Sequence, residues 1–108
     1  MQIDLLVIYT DQLEACHAFY TGLGLSFAKE QHGTGPEHYA TVLVDGAVFE
    51  LYPSSPRRPA TGSLRLGFTF RAPASAAAGA TGRPPGRQVV TDPDGRTVVL
   101  TLTGRDRP

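Results

Sequence analysis

Tryptophan is missing from this 108-residue chain, cysteine and methionine occur once each, and neither sign of charge prevails, with ten Lys and Arg against ten Asp and Glu. A lone cysteine, Cys16, rules out an intramolecular disulfide and a cysteine-rich zinc site. Without a basic surplus there are too few cations to neutralise a run of phosphates, so nucleic acid is not an expected partner. No apolar run reaches the ~20 residues of a membrane span. The start, MQIDLLVIYTD, lacks the basic region and cleavage site of a secretory signal. A cytoplasmic protein with no membrane contact is therefore expected. Walker loop, dinucleotide fingerprint, nucleophile elbow and HExxH helix are all absent too. What remains is a chain with 41% hydrophobic residues, enough for one domain with a modest core.

The hydrophobic pattern resolves into short elements. Ile3 to Thr10 reads as a strand, and DQLEACHAFYTGLG as a helix. Asp11 and Glu14 have the spacing of a capping box. Leu13, Cys16, Phe19, Tyr20 and Leu23 recur at helical spacing and predict the buried stripe. Cys16 is read as core and His17 as a surface histidine. LSFAKE predicts a second strand. HYATVLV and AVFELYP predict a hairpin turning on Asp45-Gly46, a favoured two-residue loop. SLRLGFTFRA predicts a further strand, the stretch from Pro73 to Gly86 a frayed helical turn or two, and RQVVT and RTVVLTL two more strands joined by DPDG. The order is β-α-β-β-β, then β, a poor helix, β, β. It divides into a first module over about 1–53, a linker over 54–62 and a shortened module over about 63–103.

Alternation then predicts which side chains share a face. With Asp45-Gly46 as the loop, Thr41 pairs with Glu50 and Tyr39 with Tyr52. Ala40, Val42, Val44, Ala47, Phe49 and Leu51 then form the face toward the helix. Tyr39, Thr41, Leu43, Val48, Glu50 and Tyr52 form the other. Asp4, Leu6 and Ile8 are assigned to that second face, with Arg65, Gly67 and Thr69, and with Thr97, Val99 and Thr101. A curved sheet would present these as a cup suited to a small molecule.

ACHAFYTGLGLSF, VFELYP and DPDGRTVVL together resemble the glyoxalase, bleomycin-resistance and extradiol-dioxygenase superfamily, the vicinal oxygen chelate proteins. The resemblance covers residues 3 to 52 well and 64 to 70 and 89 to 102 moderately. It implies an α+β fold of paired βαβββ modules, forming a curved mixed sheet around a cavity, and a homodimer. In metal-dependent members four ligands stand on facing strands. Carried over, these positions fall on Asp4, Glu50, Arg65 and Val99. Arginine stays protonated and repels a cation, and valine has no donor atom. No complete metal site and no cofactor are therefore expected.

The first expectation is a small-molecule-binding protein that sequesters an aromatic or natural-product-like ligand. Its contacts would be Asp4, Leu6, Tyr39, Thr41, Glu50, Tyr52, Arg65, Thr69, Thr97 and Val99, with Arg65 paired to Glu50. The alternative is a metal-dependent lyase, isomerase or dioxygenase-like enzyme with Glu50 as the catalytic base. A third is a dimeric interaction module. His32 and His38, with Glu30 and Glu37 nearby, read either as a solvated loop with His38 at a strand start, or as a displaced metal site or an acid/base at the cavity mouth.

Overall fold

The structure is a computed structural model and describes residues 1–71 and 86–103. The chain forms two compact units, Met1–Gly62 and Ser63–Pro108.

The first unit is a βαβββ module. β1 (Leu5–Thr10) leads into α1 (Leu13–Gly22), followed by β2 (Ala28–Glu30), β3 (His38–Val42) and β4 (Val48–Pro53). The sheet order is β1-β4-β3-β2, with β1 parallel to β4 and the other pairs antiparallel. The predicted stripe of α1 closes one face of this sheet through Cys16, Tyr20 and Leu23, which are fully buried with Ile8, Phe49 and Leu51. Each such side chain contributes roughly 1.5–3 kcal/mol by leaving water. Tyr20 meets Phe49 edge-on, with centroids 5.3 Å apart.

The capping box does not form. The helix starts after Gln12 without a side-chain cap. Thr10 Oγ1 accepts the Gln12 N–H at 2.9 Å, Asp11 accepts from Ser54 Oγ, and Glu14 accepts from the Tyr39 hydroxyl at 2.8 Å. These tertiary partners outcompete the local cap. Ser54 N–H extends the β1–β4 ladder to the Thr10 carbonyl at 2.9 Å, and Thr61 meets the outer edge of β1 at Tyr9, its N–H donating to the Tyr9 carbonyl at 2.9 Å and its Oγ1 accepting the Tyr9 N–H at 2.8 Å.

The hairpin register differs from the expected one by one residue. Tyr39 pairs with Leu51, Ala40 with Glu50, Thr41 with Phe49 and Val42 with Val48. The loop holds three residues, Val44 to Gly46, rather than two: Leu43 N–H donates to the Ala47 carbonyl at 2.8 Å, and Gly46 N–H to the Leu43 carbonyl at 2.9 Å. Gly46, at φ +92°, takes the left-handed position that such loops place third. A slip of one residue exchanges the faces of a strand. Tyr39 and Thr41 thus join Phe49 and Leu51 toward α1, while Ala40 and Val42 join Glu50. β1 is shifted likewise. Val7 lies beside Glu50 and Tyr9 beside Tyr52, whereas Leu6 and Ile8 lie beside Phe49 and Leu51 on the helix side.

The second unit holds β5 (Arg65–Arg71), β6 (Gly86–Thr91) and β7 (Thr97–Thr103) in the order β5-β7-β6, with β5 parallel to β7. Here the alternation reads correctly. Arg65, Gly67 and Thr69 align with Thr97, Val99 and Thr101, and Leu66, Phe68 and Phe70 with Val98, Leu100 and Leu102. The β6–β7 loop repeats the β3–β4 one: Asp92 N–H donates to the Arg96 carbonyl at 3.0 Å, Gly95 N–H donates to the Asp92 carbonyl at 2.9 Å, and Gly95 sits at φ +90°. The helical turns expected between Pro73 and Gly86 lie outside the described residues.

Candidate functional site

The helix-distal face of the first sheet carries the polar chemistry. Running from β1 across β4 and β3 to β2, it presents Val7 and Tyr9, then Val48, Glu50 and Tyr52, then His38, Ala40 and Val42, then Ala28 and Glu30. Two hollows open on this unit. One, of about 480 Å³, is lined by Ser26, Phe27, Ala28, Glu30, Ala40, Thr41, Val42, Val48 and Glu50. The other, of about 350 Å³, is lined by Tyr9, Pro36, Tyr52 to Ser55 and Arg58.

His38 lies on this face between Tyr52, which lines one hollow, and Glu30, which lines the other. Its side chain is 1% exposed. The ring stacks on Tyr52 with centroids 4.0 Å apart and planes within 10°, and Tyr52 in turn touches Tyr9 at 5.8 Å. Nδ1 lies 3.2 Å from the Pro36 carbonyl oxygen. Nε2 faces Glu30 Oε1 at 3.4 Å and Glu50 Oε2 at 3.9 Å, and neither contact is a hydrogen bond. His32 stands against the same carboxylate, Nε2 to Glu30 Oε1 at 3.6 Å. Burial, and then the negative charge of Glu50, hold the Tyr52 phenol above its ordinary value. The face thus has an aromatic end, at Tyr9 and Tyr52, and an end that carries the carboxylates of Glu30 and Glu50.

Of the expected ligand contacts, Glu50 and Tyr52 share this face, both half-buried. Tyr39, Leu6 and Thr41 were grouped with Glu50 by the wrong register and point instead toward α1. Tyr39 is committed there, stacked on His17 at 3.7 Å and bonded to Glu14. Thr41 still reaches the lining of the larger hollow. Asp4 precedes β1 and is exposed; its carbonyl accepts the Val48 N–H at 2.9 Å. Arg65, Thr69, Thr97 and Val99 belong to the second unit, where Arg65 and Thr69 are exposed and Thr97 and Val99 half-buried. Tyr9 and Val7 went unnamed because the phase of β1 was read one residue off. His38 starts its strand as expected, and what the sequence does not reveal is the pairing that sets it opposite Glu30.

The four-ligand metal set does not fit this chain. Val99 offers no donor atom, and the side chain beside Glu50 on β1 is Val7 rather than Asp4. Chemically, the helix-distal face offers apolar and aromatic surface with carboxylates at one end. Such a surface binds and orients an organic molecule and favours one carrying a donor or a cation.

A βαβββ module followed by a second, shorter β unit defines the class. The chain belongs to the glyoxalase/bleomycin resistance protein/dioxygenase superfamily, whose model matches residues 2–84. Among solved structures it is similar to TnmS3, an antibiotic binding protein from Streptomyces sp. CB03234, at 21% identity and a TM-score of 0.61, covering 95% of this chain and 96% of that one. It is also similar to a glyoxalase/bleomycin resistance protein/dioxygenase from Alicyclobacillus acidocaldarius, at 18% identity and a TM-score of 0.54, covering 94% and 91%. The oxidase ChaP-H2 shares 14% identity and a TM-score of 0.56, with 100% and 94% covered. At these identities the likeness is one of fold. No curated protein matches the chain.

Proposed function

We propose that this protein binds and sequesters a small aromatic or natural-product-like molecule on the helix-distal face of its first sheet. The observation that carries this is the hollow of about 480 Å³, whose wall is mainly apolar and whose polar ends are Glu30 and Glu50. Its size falls within the range of small-molecule sites. The half-buried aromatic pair Tyr9–Tyr52 extends the apolar surface, and the fold's kinship with an antibiotic-binding protein supports the same reading. Glu50 would anchor a cationic or donor group of the ligand; a reaction with Glu50 as base finds no support in the inherited metal positions.

The protein would act in the cytoplasm as a homodimer. Leu5, Val42 and Val89 are exposed apolar residues on strands, the kind of surface a twofold partner covers. Sedimentation from micromolar concentration upward should show a dimer; a species of 11.5 kDa throughout would refute that part.

Ligand-observed NMR against a panel of planar aromatic antibiotics and aromatic amines tests the binding. Saturable binding should weaken at least ~10-fold in Glu50→Gln, the loss of one charged hydrogen bond. It should vanish in Ala40→Trp, which fills the hollow. Binding that survives Ala40→Trp undiminished, or a panel without a single saturable ligand, would defeat the proposal.

A further inference from the structure

We infer that Glu30, His32 and His38 form a divalent-metal site on the β2–β3 hairpin, suited to a borderline-soft ion of the Zn²⁺ class. The site is separate from the four positions of the family's metal-dependent members and does not depend on the organic-ligand reading. One ligand atom from each residue lies within 4.8 Å of the others.

The argument begins with His38. A carbonyl oxygen only accepts, so the contact between Nδ1 and the Pro36 carbonyl requires the proton on Nδ1. In the neutral ring this leaves a lone pair on Nε2. That lone pair is buried, has no hydrogen-bond partner, and faces two carboxylates, Glu30 at 3.4 Å and Glu50 at 3.9 Å. Lone pair against anions is repulsive. A cation between them converts every one of these contacts into attraction. The cation is either a second proton on the ring or a metal ion.

The geometry favours the metal. Donors held at ~2.0–2.1 Å from a tetrahedral Zn²⁺ stand ~3.3–3.4 Å apart. The Glu30–His38 and Glu30–His32 edges are 3.4 Å and 3.6 Å, and the His32–His38 edge lies within 4.8 Å, so the exposed His32 closes that side when the ion binds. A proton on His38 would explain the first edge but gives no reason for a second imidazole on the same oxygen. His32 is set there by a tight turn, with its carbonyl accepting the Gly35 N–H at 3.0 Å and Gly33 at φ +59°. The carbonyl behind Nδ1 is the second partner that orients metal-bound histidines, and the Tyr52 stack fixes the ring plane. Two imidazoles with one carboxylate suit zinc or its neighbours and not magnesium.

Isothermal titration of untagged, chelator-stripped protein with Zn²⁺ and with Mg²⁺ tests the site. One Zn²⁺ per chain should bind and Mg²⁺ should not. His32→Ala and Glu30→Gln should each weaken Zn²⁺ at least ~100-fold, more than the 10–100-fold typical of an outer partner. Both side chains are substantially exposed, so the melting temperature of the metal-free variants should stay that of wild type. His17→Ala, on α1, should leave the affinity unchanged. Zn²⁺ should also move the ¹⁵N resonance of His38 Nε2. Absence of saturable Zn²⁺ binding, wild-type affinity in His32→Ala and Glu30→Gln, or an unmoved Nε2 resonance would each overturn the assignment.

Discussion

Replacing Asp92 by alanine should be among the most damaging single changes in the second unit. Asp92 and Arg96 are both buried, and their side chains are fully enclosed as an ion pair, Nη1 to Oδ2 at 2.9 Å. Asp92 Oδ1 also accepts the backbone N–H groups of Asp94 and Arg96, both at 2.9 Å. Asp94 Oδ2 holds the other arm of the guanidinium at 3.0 Å. Alanine would leave the backbone N–H groups of Asp94 and Arg96 without their shared carboxylate acceptor and take the closest carboxylate from a buried cation. Breaking a buried pair from one side costs ~3–5 kcal/mol. An unsatisfied buried N–H adds ~1–3 kcal/mol where the loop cannot relax. Because Gly95 can move, about 4 kcal/mol in all is expected. Asp92→Asn keeps an oxygen for the two backbone groups and loses only the charge, so it should cost about 2 kcal/mol, one charged hydrogen bond. Arg96→Met breaks the same pair from the other side, but the Asp92 carboxylate keeps the backbone N–H groups of Asp94 and Arg96, so it should cost about 3 kcal/mol, the low end for a pair broken from one side.

The two units need not unfold together. The assay is therefore local: amide exchange at Val98 and Leu100 in β7 as a function of urea, with far-UV circular dichroism as the global check. The ranking Asp92→Ala, Arg96→Met, Asp92→Asn is the content of the prediction. A cost below about 1 kcal/mol for Asp92→Ala, or a larger cost for Arg96→Met than for Asp92→Ala, would refute the reasoning.

Other consequences follow from single contacts. The hydrogen bond that Tyr39 donates to Glu14, then burial and the charges of Glu14 and Glu37, hold its phenol above the ordinary 10.0. The unfolded chain therefore loses this proton first, and stability should fall as pH rises from about 10 through the folded value. Tyr39→Phe and Glu14→Gln should flatten that alkaline slope in urea titrations between about pH 9 and 11.5, and an unchanged slope in both counts against the contact. Cys16 is fully buried beside Thr10 Oγ1, 3.4 Å away. Its thiol should resist disulfide reagents in native buffer and react at once in urea, and Cys16→Ala should cost about 1 kcal/mol. Native-state labelling at the rate of a free thiol would contradict that burial.

Element order and the interior of the second unit were legible because each rests on one period. Leu66, Phe68 and Phe70 alternate with Arg65, Gly67 and Thr69, and β7 alternates in step beside them. The helix stripe was legible for the same reason. Features set by distant partners were not. Glu14 has the spacing of a cap and serves Tyr39, 25 residues away. Arg96 looks like a turn arginine and is buried by Asp92 and Asp94. His38 gains its place from Glu30 across a hairpin and Tyr52 on a third strand. No local pattern encodes those meetings.

The largest misreading, the β3–β4 register, came from counting loop residues, and that count makes a sharp prediction. Asp-Gly read as a two-residue loop pairs Val44 with Ala47 and sends Tyr39 to the side of Glu50. Counting Val44 into the loop pairs Leu43 with Ala47 and sends Tyr39 to α1, as the structure has it. Val44 is fully exposed at the tip. Deleting it would leave Asp45-Gly46 as a true two-residue loop between Leu43 and Ala47, a favoured length and sequence, with every strand pair unchanged. The deletion should cost no more than about 1 kcal/mol, because small changes in loop length cost little, and the Tyr39–His17 stack and Tyr39–Glu14 bond should survive it. Under the two-residue reading, the same deletion would shift β3 by one residue against β4 and turn Tyr39 and Thr41 out of the core, which the chain would not tolerate. Gly46→Ala tests the left-handed position that either loop count gives Gly46. Nothing lies within 4 Å of the added methyl, so its cost is that of the left-handed backbone alone, about 1–2 kcal/mol. Nuclear Overhauser contacts between Tyr39 and His17 in the deletion variant decide the matter. Their loss, with a molten first unit, would mean that Val44 is a strand residue and that Tyr39 and Thr41 stand beside Glu50 after all.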